Sequence, residues 1–230
     1  FFSINDPDCR SYDKSSKILR KKGINVNKGL LSKKIKKFYR SYLLYKNKKF
    51  PFVTSKLAVS KDYFTINKSK SKWITNKFSR GRVHLMRSFH DCILTSSNTI
   101  VSDNPKMTCR ISGLNSNSPS RIILDRNLKI PVKSKILNDA YKFKTIIFFN
   151  KYNKKKIKLL NKLKIKTYKL PLDEENFLDL KKCLIKAKEL GFSRIFLESG
   201  IKLNQSFLNK NLVDEFKLFI SNKKLKKNGS

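Results

Sequence analysis

The sequence predicts an α/β protein, a three-layer sandwich built on a mostly parallel sheet. From residue 51 onward, short apolar runs of strand type alternate with segments of helical periodicity. The clearest helical segment, "LDEENFLDLKKCLIKAKELG", has acids at its front and an apolar stripe, with Gly191 where a C-terminal cap belongs. A chain of 230 residues with 39% hydrophobic content can also bury one sizeable core.

Taken in order, "LLSKKIKKFYRSYLLY" repeats Leu31, Ile35, Phe38, Tyr42 and Tyr45 at helical spacing, which predicts one amphipathic helix over 30–45. "KNKKFP" breaks it, and Pro51 ends any helix at or before Phe50, so the domain boundary falls between 1–48 and 49–230. "FVTSKLAVS" has strand composition, and "NKFSRGRVHLMRSFH" carries Val83, Met86 and Phe89 at helical intervals. "DCILT", "SRIILD", "KTIIFFN" and "IKTYKL" are short apolar runs bounded by turns. The acid-fronted helix follows, with Phe177, Leu180, Leu184, Ala187 and Leu190 as its stripe. "SRIFLESG", "IKLNQSFLNKNLV" and "DEFKLFIS" then read as strand, helix and strand. No internal repeat is visible.

The formal net charge of +38 and pI near 10.2 raise nucleic-acid binding. The lysines, however, run from "KILRKK" to "NKKLKKNGS" without concentrating in one patch, the pattern of a solvated surface that binds polyanions only nonspecifically. A basic nucleic-acid-binding protein without catalysis is therefore the rival reading. Cys9, Cys92, Cys109 and Cys183 are scattered, with only His84 and His90 as imidazole partners; that argues against a zinc site and favours reduced thiols in the cytoplasm. No apolar run is long enough to span a bilayer and no signal peptide opens the chain, so a soluble protein is expected. Residue 1 is Phe, which suggests a start partway into a longer protein.

Two strand ends could hold a ligand, because ligands in open α/β sheets bind beyond the carboxyl ends of strands. "RIFLESG" offers Glu198, Ser199 and Gly200 before a helix, and "ILTSSNTIVSDNPKMTCR" offers a hydroxyl and amide cluster ahead of Asp103 and Arg110. Each could equally be a turn or a helix cap. The only tryptophan, Trp73, sits in "KSKSKWITNK", among lysines and serines.

Together, "PFVTSKLAVSKD", "SKWIT", "VHLMR", "ILTSSNTIVSDNPKMTCR", "RIILDRNLKIP", "IFLESG" and "LVDEFKLFI" resemble, in order and near spacing, the reductase domain of the bifunctional riboflavin-biosynthesis pyrimidine deaminase/reductase. The resemblance runs from about Pro51 onward. "DPDCRSYDKSSKILRKKGINVNKGLL" is similar to the tail of that family's deaminase domain, so residues 1–48 are expected to be a deaminase remnant and linker helix. The deaminase zinc signature, H-x-E with P-C-x-x-C, occurs nowhere in the chain, and no deaminase activity is expected of it.

The resemblance implies a dihydrofolate-reductase-like fold, a homodimer, and NADPH-dependent reduction of 5-amino-6-(5-phosphoribosylamino)uracil to the ribityl product. A related enzyme of that fold with another pyrimidine or pterin substrate is the second alternative. By motif correspondence, Ala58, Trp73, Thr75, Thr99, Asp103 and the turn of Gly200, Ile201, Lys202, Leu203, Asn204, Gln205 and Ser206 would line the cofactor site. Ser71, Arg87, Met107, Arg110 and Glu198 would face the phosphorylated substrate, with Asp103, Glu198 or a water as proton donor. Arginine's planar fork suits phosphate oxygens, so Arg87 and Arg110 gain weight in a lysine-rich chain. Arg126 stands where family members commonly have a small polar residue, and we expect it to pair with the 2'-phosphate of NADPH.

Some positions depart from the family pattern. Tyr63 replaces the glycine of "S-x-D-G", and the stretch before Ser71 is a residue short, which suggests a remodelled loop; Ser199 replaces a Gly or Ala. The chain also stops soon after "DEFKLFIS" where the family continues, so a truncated reductase with an exposed sheet edge is expected.

Overall fold

The structure, a computed structural model, describes residues 1–6, 8–47, 49–68 and 73–229. Seven strands run through these residues: β1 (Phe52–Val59), β2 (Cys92–Ser96), β3 (Ser120–Leu124), β4 (Thr145–Phe149), β5 (Lys166–Lys169), β6 (Arg194–Glu198) and β7 (Glu215–Ile220). The helices are α1 (Lys14–Lys21), α2 (Ser32–Phe38), α3 (Arg40–Asn47), α4 (Lys77–Ser88), α5 (Ser97–Asp103), α6 (Lys135–Asn138), α7 (Lys154–Lys162), α8 (Leu180–Glu189) and α9 (Ile201–Asn209). The strands form one sheet in the order β5-β4-β3-β2-β6-β1-β7, and each adjacent pair is parallel.

A parallel sheet is covered on both faces, so its strands are apolar throughout. Successive residues feed opposite cores. Cys92, Leu94, Ile122, Phe148 and Leu197 pack with Leu180, Leu184 and Phe207 from α8 and α9. Ile93, Ile123, Ile147 and Phe196 pack with Val83, Met86, Ile100, Ile136 and Leu160 from α4, α5, α6 and α7. The three layers expected from the sequence are these.

Beyond β2 the chain moves toward β3, β4 and β5, whereas beyond β6 it crosses β1 to reach β7. Crossovers of one hand leading in opposite directions leave on opposite faces, and a crevice opens where they part, at the C-terminal ends of β2 and β6.

Three expectations need correction. Residues 30–45 form two short helices parted at Tyr39, with Leu31 and Phe38 exposed at 59% and 77%. Neither helix has an acid in its first turn to meet the dipole, and Leu31, at φ 55, caps α2 without a side-chain hydrogen bond. Second, the acid-fronted helix begins only at Leu180, where the Asp179 carboxylate accepts from the backbone N–H of Lys181 and Lys182. Upstream, the Asp173 carboxylate accepts from the N–H of Glu175 and Phe177, and Leu172 and Leu178 form an antiparallel bridge. A side-chain turn has replaced the first helical turns and leaves Phe177 63% exposed. Third, Tyr63 keeps a left-handed backbone, φ 64, where the glycine was expected. That turn is held by Asp62, which accepts from Ser60 Oγ and from the N–H of Leu225 and Lys226.

Candidate active site

A cleft of about 1400 Å3 lies across the C-terminal ends of β1, β2, β3 and β6, over the crevice. Its floor is built by strand ends. The hydroxyls of Ser96, Thr99 and Ser199 form a triangle with sides of 3.0, 3.1 and 3.1 Å that ties the end of β2 to the end of β6. Ser96 also caps α5 by accepting from Thr99 N–H, so this cluster serves as a helix cap as well as a polar patch. Gly200 leads into α9, whose first turn has no side-chain cap and lines the cleft with Gly200, Ile201, Lys202 and Leu203.

Arg87, in the last turn of α4, crosses to Glu198 at the end of β6. Its Nε and Nη2 donate to the two carboxylate oxygens at 2.9 and 2.7 Å, and Nη1 donates to the carbonyl of Thr108 at 2.8 Å. The side chains are 9% and 15% exposed. Burial pushes the Glu198 carboxyl upward, but the guanidinium outweighs it, with Lys56 and His84 adding to the effect, and the net shift is down. Glu198 is therefore an anion here. Paired in this way, it presents its carboxylate to the cleft as a hydrogen-bond acceptor.

Arg87 lines the cleft yet spends its fork on Glu198 and Thr108, so it is not a free phosphate ligand. Arg110 is different. It is exposed on the cleft wall, and among the described residues its guanidinium bonds only to the Thr108 hydroxyl, at 3.4 Å. Between the two, the His84 imidazole is held neutral: burial and the charges of Arg87 and Arg110 bring its pKa down to about 4. Its Nδ1 accepts from the backbone N–H of Arg110 at 3.2 Å.

The remaining expected positions divide. Ala58, Trp73, Thr99, Asp103, Met107, Arg126, Gly200, Ile201, Lys202, Leu203 and Ser206 line the cleft. Trp73 is 62% exposed, with the Arg80 guanidinium 4.7 Å from its ring centre. Asp103 is exposed at the end of α5 and accepts from Ser102 Oγ. Met107 is buried in the core beside the cleft with φ 52. Three positions depart from expectation. Thr75 lines a smaller adjoining cavity of about 360 Å3 with Trp73 and Ile220. Asn204 is buried, accepting from Ser55 Oγ and donating to the carbonyls of Ser199 and Gly200, so it braces α9 against β1. Gln205 is exposed on α9, outside the cleft lining. Ser71 lies outside the described residues.

Two contributors escaped sequence reasoning. Lys56 lies opposite Glu198 in the β1–β6 register and lines the cleft; matching strand ends across the sheet would have found it. Arg121, fully buried on β3, donates to Asp139 at 2.6 Å and to the carbonyl of Lys106 at 2.9 Å, fixing the 104–108 loop that carries Met107 and Thr108. Its strand position concealed it, since nothing local signals a buried arginine.

An open parallel sheet with an extended cleft at its switch point, floored by hydroxyls and a helix N-terminus, is the architecture of a nucleotide-dependent α/β enzyme. The chain belongs to the RibD C-terminal domain family, whose model matches residues 51–225. It is 33% identical over 220 residues to the riboflavin biosynthesis protein RibD of Aquifex aeolicus, covering 95% of this chain and 59% of that protein. With the RibD of Bacillus amyloliquefaciens it shares 28% over 222 residues, covering 96% and 59%. The chain thus spans 59% of the length of these relatives. Among solved structures, RibD from Acinetobacter baumannii superposes with a TM-score of 0.81 at 23% identity, over 99% of this chain and 62% of that one. The deaminase/5-amino-6-(5-phosphoribosylamino)uracil reductase of Thermotoga maritima gives 0.78 at 27%, over 97% and 59%. A Saccharomyces riboflavin biosynthesis reductase gives 0.62 at 23%, over 85% and 86%. The expected family and α/β reductase fold are therefore correct. No helix among the described residues is long and apolar enough to cross a membrane.

Proposed function

We propose that the chain is the reductase portion of a riboflavin-biosynthesis enzyme, passing hydride from NADPH to the ribosyl carbon of 5-amino-6-(5-phosphoribosylamino)uracil to give the ribityl product. One observation carries the reading: in a member of this family, Trp73, Arg110, the Arg87–Glu198 pair, the Gly200 turn and Arg126 share a single cleft.

The residues fit a dinucleotide. The N-terminus of α9 and the Ser96–Thr99–Ser199 hydroxyls suit a pyrophosphate, and the exposed indole of Trp73 offers a flat face to a ring. When bound, the nicotinamide supplies the hydride; the protein holds the partners together and excludes water. Arg110 is the guanidinium free to meet the sugar phosphate. Arg87 holds the Glu198 carboxylate in place, where it accepts hydrogen bonds from the substrate's sugar or pyrimidine. With Glu198 ionised, Asp103 or a water remains as proton donor.

Residues 1–48 are read as the end of a deaminase domain; the bond from Lys188 Nζ to the Tyr45 carbonyl, at 2.8 Å, and the Arg40 guanidinium 5.5 Å from the Phe52 ring centre link them to the reductase. A homodimer in the cytoplasm completes the proposal. The direct test follows loss of the reduced-nicotinamide absorbance when the phosphoribosylamino-pyrimidine is added with NADPH. Quenching of Trp73 fluorescence by NADPH should accompany it. A protein that ignores NADPH and binds RNA with steep salt dependence would overturn the reading.

A further inference from the structure

Three arginines line the cleft, and their partners differ in one respect. Arg87 is neutralised by Glu198, and Arg110 lies at the end assigned to the substrate. Arg126, just beyond β3, is held by uncharged groups: its Nη1 donates to the carbonyl of Asn176, and its guanidinium lies 5.9 Å from the centre of the Phe177 ring. Among the described residues no carboxylate pairs with it. Lys129, on the same rim, likewise bonds a neutral partner, the amide oxygen of Asn98, at 2.5 Å. Two cations held by neutral groups in one cleft wall leave a positive field that an anionic ligand can satisfy.

The turn that presents Phe177 is preformed. Asp173 closes it through the N–H of Glu175 and Phe177, and Lys210 neutralises Asp173 at 2.5 Å, anchoring the turn to the end of α9. Phe177 is 63% exposed and lines the cleft, an arrangement that a core-filling residue would not show. The guanidinium beside the ring and the ring's exposed remainder offer a flat apolar face with donors at its edge. Glu175, exposed on the same turn, also lines the cleft, and no ion pair joins it to Arg126 among the described residues.

We propose that Arg126 and Phe177 together form a clamp for a 2'-phosphorylated adenosine: Phe177 stacks on the base and the free edge of Arg126 binds the 2'-phosphate. This rests on the NADPH-dependent reading and extends it by assigning the turn at 173–178, which the sequence placed inside a helix, to cofactor discrimination.

Dissociation constants for NADPH and NADH, measured by calorimetry without substrate, test it. The wild-type chain should prefer NADPH by about 10- to 100-fold, the value of a charge-assisted phosphate contact. Arg126→Ser should abolish most of that preference by weakening NADPH alone, while Arg126→Lys, a point charge without the fork, retains part of it. Phe177→Ala should weaken both cofactors about equally, by roughly 5- to 100-fold, as loss of base stacking does. Both side chains are solvent-accessible, so the variants should melt near wild type. If R126S keeps the preference, or F177A binds both cofactors as before, the clamp is wrong while the reductase reading stands. If the wild-type chain binds neither cofactor, both fall.

Discussion

Replacing Arg87 by methionine tests the interior of the site more sharply than any surface change. The substitution keeps most of the stem volume and removes a fork that bonds both Glu198 oxygens at 2.7 and 2.9 Å and the Thr108 carbonyl at 2.8 Å. With the side chains 9% and 15% exposed, water cannot replace those donors, and an uncompensated carboxylate remains. The loss should be about 3–5 kcal/mol, read from urea unfolding. In a chain of this size that corresponds to a fall in melting temperature on the order of 10 °C. The sign with pH is specific. In the wild type the Glu198 pKa lies below its usual 4.5, so the pair stabilises above that value and the contribution is lost as pH falls through the lowered pKa. In R87M burial, the largest influence, is opposed only by the weaker pull of Lys56 and His84, so the pKa rises and the variant regains stability as Glu198 takes up a proton. The gap between the two proteins should therefore narrow on acidification, and Glu198→Leu added to R87M should restore most of the loss, because a buried pair replaced by apolar groups is near neutral. A loss under about 1 kcal/mol, a gap that widens in acid, or strictly additive effects would refute the buried-pair reasoning.

Tyr63→Gly should stabilise the chain by about 1 kcal/mol, seen as a higher urea midpoint, because a 71% exposed tyrosine at φ 64 strains its backbone and loses little packing when removed. Arg110→Met should raise the Michaelis constant for the phosphorylated pyrimidine by about 10- to 100-fold and leave that for its dephosphorylated analogue unchanged. The His84 imidazole should titrate near 4 by NMR; because its folded pKa lies below the unfolded 6.5, stability should decline as pH drops between those values, and His84→Gln should flatten the decline. Arg121→Met should cost about 3–5 kcal/mol in urea unfolding, since it strands Asp139 and frees the Lys106 carbonyl.

Most of the sheet was legible because a doubly covered strand has a strong signal: "KTIIFFN" and "RIIL" leave few alternatives once flanked by turns. The α8 boundary was not legible, because Asp173 and Asp179 compete for backbone N–H groups, and composition alone does not show which stretch keeps its helix. The same ambiguity left α5 undecided, since the hydroxyl and amide cluster at its start could be a turn or a helix cap. In the site, polar residues at strand ends were found by motif, whereas the partnership of Arg87 with Glu198 was not, since the two lie 111 positions apart and meet only when α4 and β6 are in place. Arg121 and Lys56 were missed for a related reason: their importance comes from neighbours across the sheet.

The position of β1 governs when the protein becomes whole. Phe52 pairs in register with Arg194, and Thr54 with Glu215, so the first of these strands has both of its neighbours more than a hundred residues later in the chain. On a ribosome that strand emerges long before anything can pair with it, and its apolar residues stay open to wrong partners or to chaperones until well over a hundred residues have followed. Inserting β6 beside it is also the act that sets Glu198 opposite Lys56 and raises the floor of the cleft. Nascent chains should therefore gain the capacity to hold a ligand late and abruptly, at the same moment that they bury this vulnerable segment.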